Sequence, residues 1–146
     1  MALASLACSA CALAAIAPAS KQTHPSVAPR VGGVRKRFVV HFTARENLGV
    51  HGVIATDYRV NAAGPARITC ARAASVLVAK GQAGDRLRVV LAPLGRSRWC
   101  RGRFRGVVMF ERGPYCPKPK PGTTPTPCPE FASQALDTGH FTFRVR

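Results

Sequence analysis

The cysteines are the first candidates for chemistry. Cys70, Cys100, Cys116 and Cys128 follow one another at gaps of 30, 16 and 12 positions. A four-thiolate zinc site draws its ligands from close C-x2-4-C pairs, which these gaps do not supply. Disulfides fit better, provided the compartment is oxidising. Four thiols allow three pairings. Cys116–Cys128 is favoured because it closes a proline-rich stretch on itself, and Cys70–Cys100 would then tie two strands of the body. Each bridge is worth about 2–4 kcal/mol through its restriction of the unfolded chain. Cys8 and Cys11 form a C-x-x-C, a spacing with redox or metal uses elsewhere. Here the pair sits inside an alanine-rich apolar run and reads as two small hydrophobes. Acylation of either as a lipoprotein cysteine lacks the usual Leu three positions upstream.

The remaining reactive side chains form no motif. His24, His41, His51 and His140 are dispersed, with no metal spacing among them. Glu46, Asp57, Asp85, Glu111, Glu130 and Asp137 are scattered, and the sequence gives no sign of the carboxylate pair a glycosidase needs. There is no G-x-S-x-G, no P-loop, no dinucleotide fingerprint and no H-E-x-x-H. The expectation is a chain that is not an enzyme, with no catalytic residue, no metal and no cofactor.

The sharpest positive feature is basic. From Arg96 to Gly106, five arginines are interleaved with Trp99 and Phe104. Guanidinium groups alternating with aromatics can hold single-stranded nucleic acid by charge and stacking, although Gly102-Arg103-Phe104-Arg105-Gly106 misses the RNP1 pattern. The plainer reading is a turn leading into a strand, with Phe104 in the core and Arg103 and Arg105 on the wet face. Across the chain, Lys+Arg is 22 against Asp+Glu 6, a formal charge of +16. Such a field attracts nucleic acid, acidic polysaccharide or wall polymer, or a phospholipid surface. The excess of Arg over Lys is what a GC-rich genome gives without selection for Arg chemistry.

Period-two runs must position these groups. Phe38, Val40 and Phe42 share one parity, as do Tyr58 and Val60; Leu87, Val89 and Leu91; Phe104, Val108 and Phe110; and Phe141, Phe143 and Val145. Half-buried strands give this alternation. Shorter strands fit at 67–71 and 75–79. Turn signals at Leu48-Gly49, Gly64-Pro65, Gly81 to Gly84, Pro93 to Gly95 and Gly113-Pro114 separate the runs. No segment has a helical face. The predicted fold is all-β: an antiparallel immunoglobulin-like β-sandwich of about seven strands, with a barrel as the alternative. Six of the twelve prolines fall between Pro117 and Pro129, so that stretch cannot be a central strand. It reads as a disulfide-closed loop before the last strand.

The same parity places Arg86, Arg88, Arg103, Arg105, Arg144 and Arg146 opposite the core set. They should form basic surface, with Leu87, Phe104 and Phe143 pointing inward. The last two strands should pair across the proline-rich loop and gather Arg103, Arg105, Arg144 and Arg146 into one patch, with Arg86 and Arg88 on the other sheet.

Domain organisation follows. Residues 1–19 read as a signal peptide: an apolar stretch from Leu6 to Ile16 and a small-x-small cleavage site at Ala17-Pro18-Ala19, without a preceding Lys or Arg. The competing reading is an uncleaved anchor, at about 18 residues a marginal span. Residues 20–35, rich in Pro and Gly, read as a flexible linker, and 36–146 as the β-domain.

Trp99-Cys100-Arg101-Gly102-Arg103-Phe104-Arg105-Gly106, Cys128-Pro129 and the terminal Gly139-His140-Phe141-Thr142-Phe143-Arg144-Val145 resemble small exported immunoglobulin-like modules of high-GC Gram-positive bacteria. The resemblance covers about half the domain and implies fold and location rather than activity. The antibody arrangement of Cys, Trp and Cys on separate strands is absent, since Trp99 adjoins Cys100. The combined expectation is a secreted, non-catalytic binding or structural module. Its partner would be an anionic envelope polymer or another protein, with no stable membrane insertion after signal cleavage. The alternatives are a nucleic-acid-binding protein using Arg96 to Arg105 and a secreted hydrolase built from the dispersed acids or histidines.

Overall fold

A computed structural model describes residues 21–146 except Ala66 and Ile68. The expected leader and the Cys8/Cys11 pair lie outside the described residues. Within them the chain is all-β, with no helix. The strands are β1 (Ser26–Ala28), β2 (Val31–Gly32), β3 (Phe38–Thr43), β4 (Gly49–His51), β5 (Ile54–Ala63), β6 (Ala73–Val78), β7 (Arg86–Leu91), β8 (Gly102–Pro114) and β9 (Gln134–Val145).

Two sheets form. The smaller has the order β1-β3-β7; the larger runs β2-β9-β8-β5-β4, with β6 pairing the rest of the β5 edge. The larger sheet is mixed, because β2 runs parallel to β9 through Val31↔Arg144 and Gly32↔Val145. This corrects the expectation of a purely antiparallel fold. The count also differs from about seven, since three of the nine strands are pieces of two or three residues.

The core is where the apolar parities of the two sheets meet. Phe38 of the smaller sheet packs on Phe143 of the larger at 4.1 Å between ring centroids, and Phe42 meets Tyr58 edge-on at 5.2 Å. Trp99 is 1% exposed and touches Phe38, Phe104 and Phe143 with its ring edges and faces. Its indole N–H donates to the Lys36 carbonyl at 2.8 Å, which gives a buried polar atom its partner. The Cys70–Cys100 bridge, S–S 2.01 Å, lies beside it and fastens the loop before β6 to the start of β8.

Residues 21–32, within the stretch read as a linker, form an arm whose strands β1 and β2 pair with β3 and β9. Thr23 is fully buried, and its N–H donates to the Thr138 carbonyl at 2.8 Å. Thr138 is the extra residue of a bulge in β9, standing between Asp137 and Gly139, which face Met109 and Val108. A bulge frees backbone groups from the ladder. Here Thr23 takes up the Thr138 carbonyl, and the Thr138 hydroxyl donates to the Val108 carbonyl at 2.8 Å. Beyond Thr23, β1 pairs with β3 and buries Val27. The arm shows no period because its strands are two and three residues long, too short to reveal one. Of the strand expected at 67–71, the described residues Arg67, Thr69, Cys70 and Ala71 belong to no strand of either sheet, and one isolated bridge joins Ala71 to Trp99, while Ile68 lies outside the described residues.

Candidate functional site

Strand directions decide where the charge goes. One end of the molecule is defined by Phe38 opposite Leu91, Ala63 opposite Arg105 and Gly102 opposite Val145. Loops from four parts of the chain are stitched together there by backbone bonds. Trp99 N–H donates to Val34, Ala71 N–H to Arg98, Arg144 N–H to Arg30 and Arg146 N–H to Gly32, all at 2.7–2.9 Å. This brings Arg30 and the run Arg35-Lys36-Arg37 alongside Arg98 and Arg101, with Arg72 on the adjoining loop, every one of them exposed.

The six arginines predicted as basic surface are all exposed. Arg103 and Arg144 are direct cross-strand partners at the basic end, with Arg105 two residues further along β8 on the same face. Arg146 follows Arg144 at the same parity. Arg86 and Arg88 lie on the smaller sheet, opposite Thr43 and His41. Phe104 and Phe143 are buried and stacked on each other at 5.0 Å; Leu87 is partly buried against the core.

Among the described residues no acid shares the basic end. Asp57, Glu111 and Asp137 occupy the opposite half of the large sheet, Glu46 pairs with Lys21 at 2.8 Å, Asp85 closes the turn before β7 and Glu130 belongs to the proline-rich loop. The molecule therefore has a charge axis along its strands. Parity in the sequence marks the strand arginines but not their neighbours Arg30 and Arg35, because the segment before β3 carries no period.

The aromatics of the Arg96–Gly106 segment face the core: Trp99 is 1% and Phe104 0% exposed. The basic end thus offers guanidinium groups without a stacking platform. The exposed aromatics, Tyr115 and Phe131, flank the proline-rich loop at the far end. That loop is closed by Cys116–Cys128.

The acids are less scattered than the sequence suggested. Asp57 stands directly opposite Glu111 across β5 and β8. Both Glu111 oxygens are held by Arg59, through Nε at 2.8 Å and Nη2 at 3.2 Å. Burial, and then the neighbouring Glu111, push the Asp57 carboxyl above its ordinary range, and Arg59 only partly offsets them. One Asp57 oxygen is buried without a hydrogen bond. A hollow of about 330 Å³ lies beside the pair, lined by Arg112, Ser133 and Gln134 among others. For this pair to serve in hydrolysis both carboxyls would have to be available, and the forked contact commits Glu111 to Arg59. Among the described residues no three His, Cys, Asp or Glu side chains are grouped so as to hold a metal ion. Nor is any described helix long and apolar enough to cross a membrane.

Two disulfides fit an oxidising compartment. Compared with protein-family models, with curated proteins and with solved structures, the chain matches none.

Proposed function

We propose that the chain is an exported, non-catalytic binding module of immunoglobulin-like type whose basic end holds an anionic polymer of the cell envelope. The observation that carries this reading is the charge axis: exposed arginines from the arm, two loops and two strands share one end with no acid among them. Like charges set directly opposite, as Arg103 and Arg144 are, cost stability. A polyanion spanning them removes that cost. The leader and the two disulfides support export, and the resemblance to exported immunoglobulin-like modules supports the fold type.

The buried Trp99 and Phe104 count against base stacking, the interaction that made single-stranded nucleic acid attractive. Arginine forks match carboxylate and phosphate groups, and with no stacking aromatic beside them a polymer held by its repeating anion alone is the better fit. The test is retention of the disulfide-bonded chain on purified anionic wall polymer at low and high salt. Binding at low salt that falls steeply as salt rises is expected. Absence of retention at low salt, or retention that salt leaves unchanged, overturns the reading. Tighter retention on single-stranded DNA than on wall polymer would favour the nucleic-acid alternative instead.

A further inference from the structure

The proline-rich loop takes no part in the basic end, and its hydroxyls have a distinctive setting. Residues 116–128 are all exposed, and the Cys116–Cys128 bridge gathers them into a loop standing off the end of the large sheet. Within it runs Gly122-Thr123-Thr124-Pro125-Thr126-Pro127. Gly122 takes a left-handed φ of 77°, which turns the chain. Thr123 closes that turn, donating both its N–H, at 3.1 Å, and its hydroxyl, at 2.7 Å, to the Lys120 carbonyl. Thr124 and Thr126 differ from it. Each precedes a proline, which holds it extended, and each proline removes a donor that could have drawn the segment into a sheet. Neither hydroxyl makes a hydrogen bond among the described residues. Thr23, Thr56 and Thr138 spend their hydroxyls on backbone carbonyls; Thr43, Thr69 and Thr142 leave theirs unbonded too, but none of them precedes a proline.

We propose that Thr124 and Thr126 are acceptors for O-linked sugar. An extended, proline-spaced threonine segment is the composition of O-glycosylated stalks, and here the fold presents it with free hydroxyls and an open backbone. The loop stays accessible after folding, so transfer can follow disulfide closure on the outer side of the membrane. The donor there is a sugar carried as the anomeric phosphate ester of a membrane lipid. The threonine Oγ forms a bond to the anomeric carbon as the bond from that carbon to the phosphate oxygen breaks. The electron pair leaves with the lipid phosphate, and the hydroxyl proton passes to a base of the transferase. Nothing is oxidised or reduced. The proposal rests on export but not on the polymer-binding reading.

The test is the intact mass of the full chain recovered from its native host, followed by arginine-specific cleavage and electron-transfer fragmentation of the peptide from Gly113 to Arg144. Mass increments of whole monosaccharide residues, placed on Thr124 and Thr126, are expected. The double variant Thr124→Val, Thr126→Val should lose them, and Thr123→Val should keep them. These positions are exposed, so the variants should fold as the parent does, with both disulfides verified by mass. An unmodified native chain, increments that survive in the double variant, or increments lost only with Thr123→Val would each overturn the assignment. Salt-dependent retention on wall polymer, measured on the same samples, reports separately on the basic end.

Discussion

Phe141 lays its ring against Gly106, its direct partner across β8 and β9, in the space that any side chain at 106 would occupy. The same device recurs where Phe104 covers Gly64, with its ring 2.6 Å from where a Cβ would stand. Both glycines thus let an aromatic lie flat on the sheet and fill the core, a pairing that also pins strand register.

Gly106→Ala is accordingly expected to destabilise the fold by about 1–3 kcal/mol, the usual cost of overpacking a filled core. The ring has no open side to move toward, since Phe141 is 6% exposed and its neighbour Phe143 is sandwiched against Phe38 and Phe104. Urea unfolding followed by tryptophan fluorescence would report the loss through Trp99. A midpoint equal to that of the parent would show that the ring is not seated on Gly106.

Removal of residues 21–32 should be costly, in contrast to trimming a linker. The deletion takes away Val27, a buried side chain worth about 1.5–3 kcal/mol, and Thr23, which satisfies the bulge at Thr138. It also uncovers the edges of β3 and β9 that β1 and β2 now occupy. Open strand edges invite association. A lower urea midpoint together with concentration-dependent light scattering is the expected result.

Arg144→Glu should move stability and binding in opposite directions. It replaces a like-charge pair opposite Arg103 with an attractive one, a gain of roughly 0.2–1 kcal/mol at low salt that screening erodes. The same change puts an acid into the basic end and should weaken retention on wall polymer. Thermal melts in low and high salt, paired with the retention assay, separate the two effects. A variant that melts lower than the parent at low salt would contradict the cross-strand register.

Asp57→Asn should stabilise the protein near neutral pH. Burial and Glu111 raise the Asp57 carboxyl above its ordinary value of 3.8, so the native state binds that proton more tightly than the unfolded chain does. Stability then falls as pH rises from 3.8 through the raised value, and at neutral pH the ionised group is a net cost. The amide removes that cost, and its advantage should vanish below the ordinary carboxyl range. Urea midpoints of parent and variant, compared at neutral and at strongly acidic pH, test this. An advantage of equal size at both would mean that titration of Asp57 is not its source.

The sequence by itself determined which side chains face inward on the long strands. Strand geometry alternates faces with a period of two regardless of what the strand pairs with, so Phe104 and Phe143 could be assigned to the core and Arg103 and Arg144 to solvent from parity alone. The proline density likewise marked 117–129 as a loop, because proline cannot serve a ladder wherever it falls. Pairing and direction were decided only in the tertiary structure. Nothing local to Asp57 specifies Glu111 as its partner, nothing in Lys36 specifies Trp99, and nothing in Thr23 announces Thr138 on the far side of the chain. Those relations depend on register, on a bulge one residue long and on the direction in which each strand crosses the core. The charge axis has the same origin: a formal charge of +16 was legible in the composition, but the gathering of a cluster of those basic groups at one end required four distant segments to be brought together by backbone hydrogen bonds that no single segment encodes.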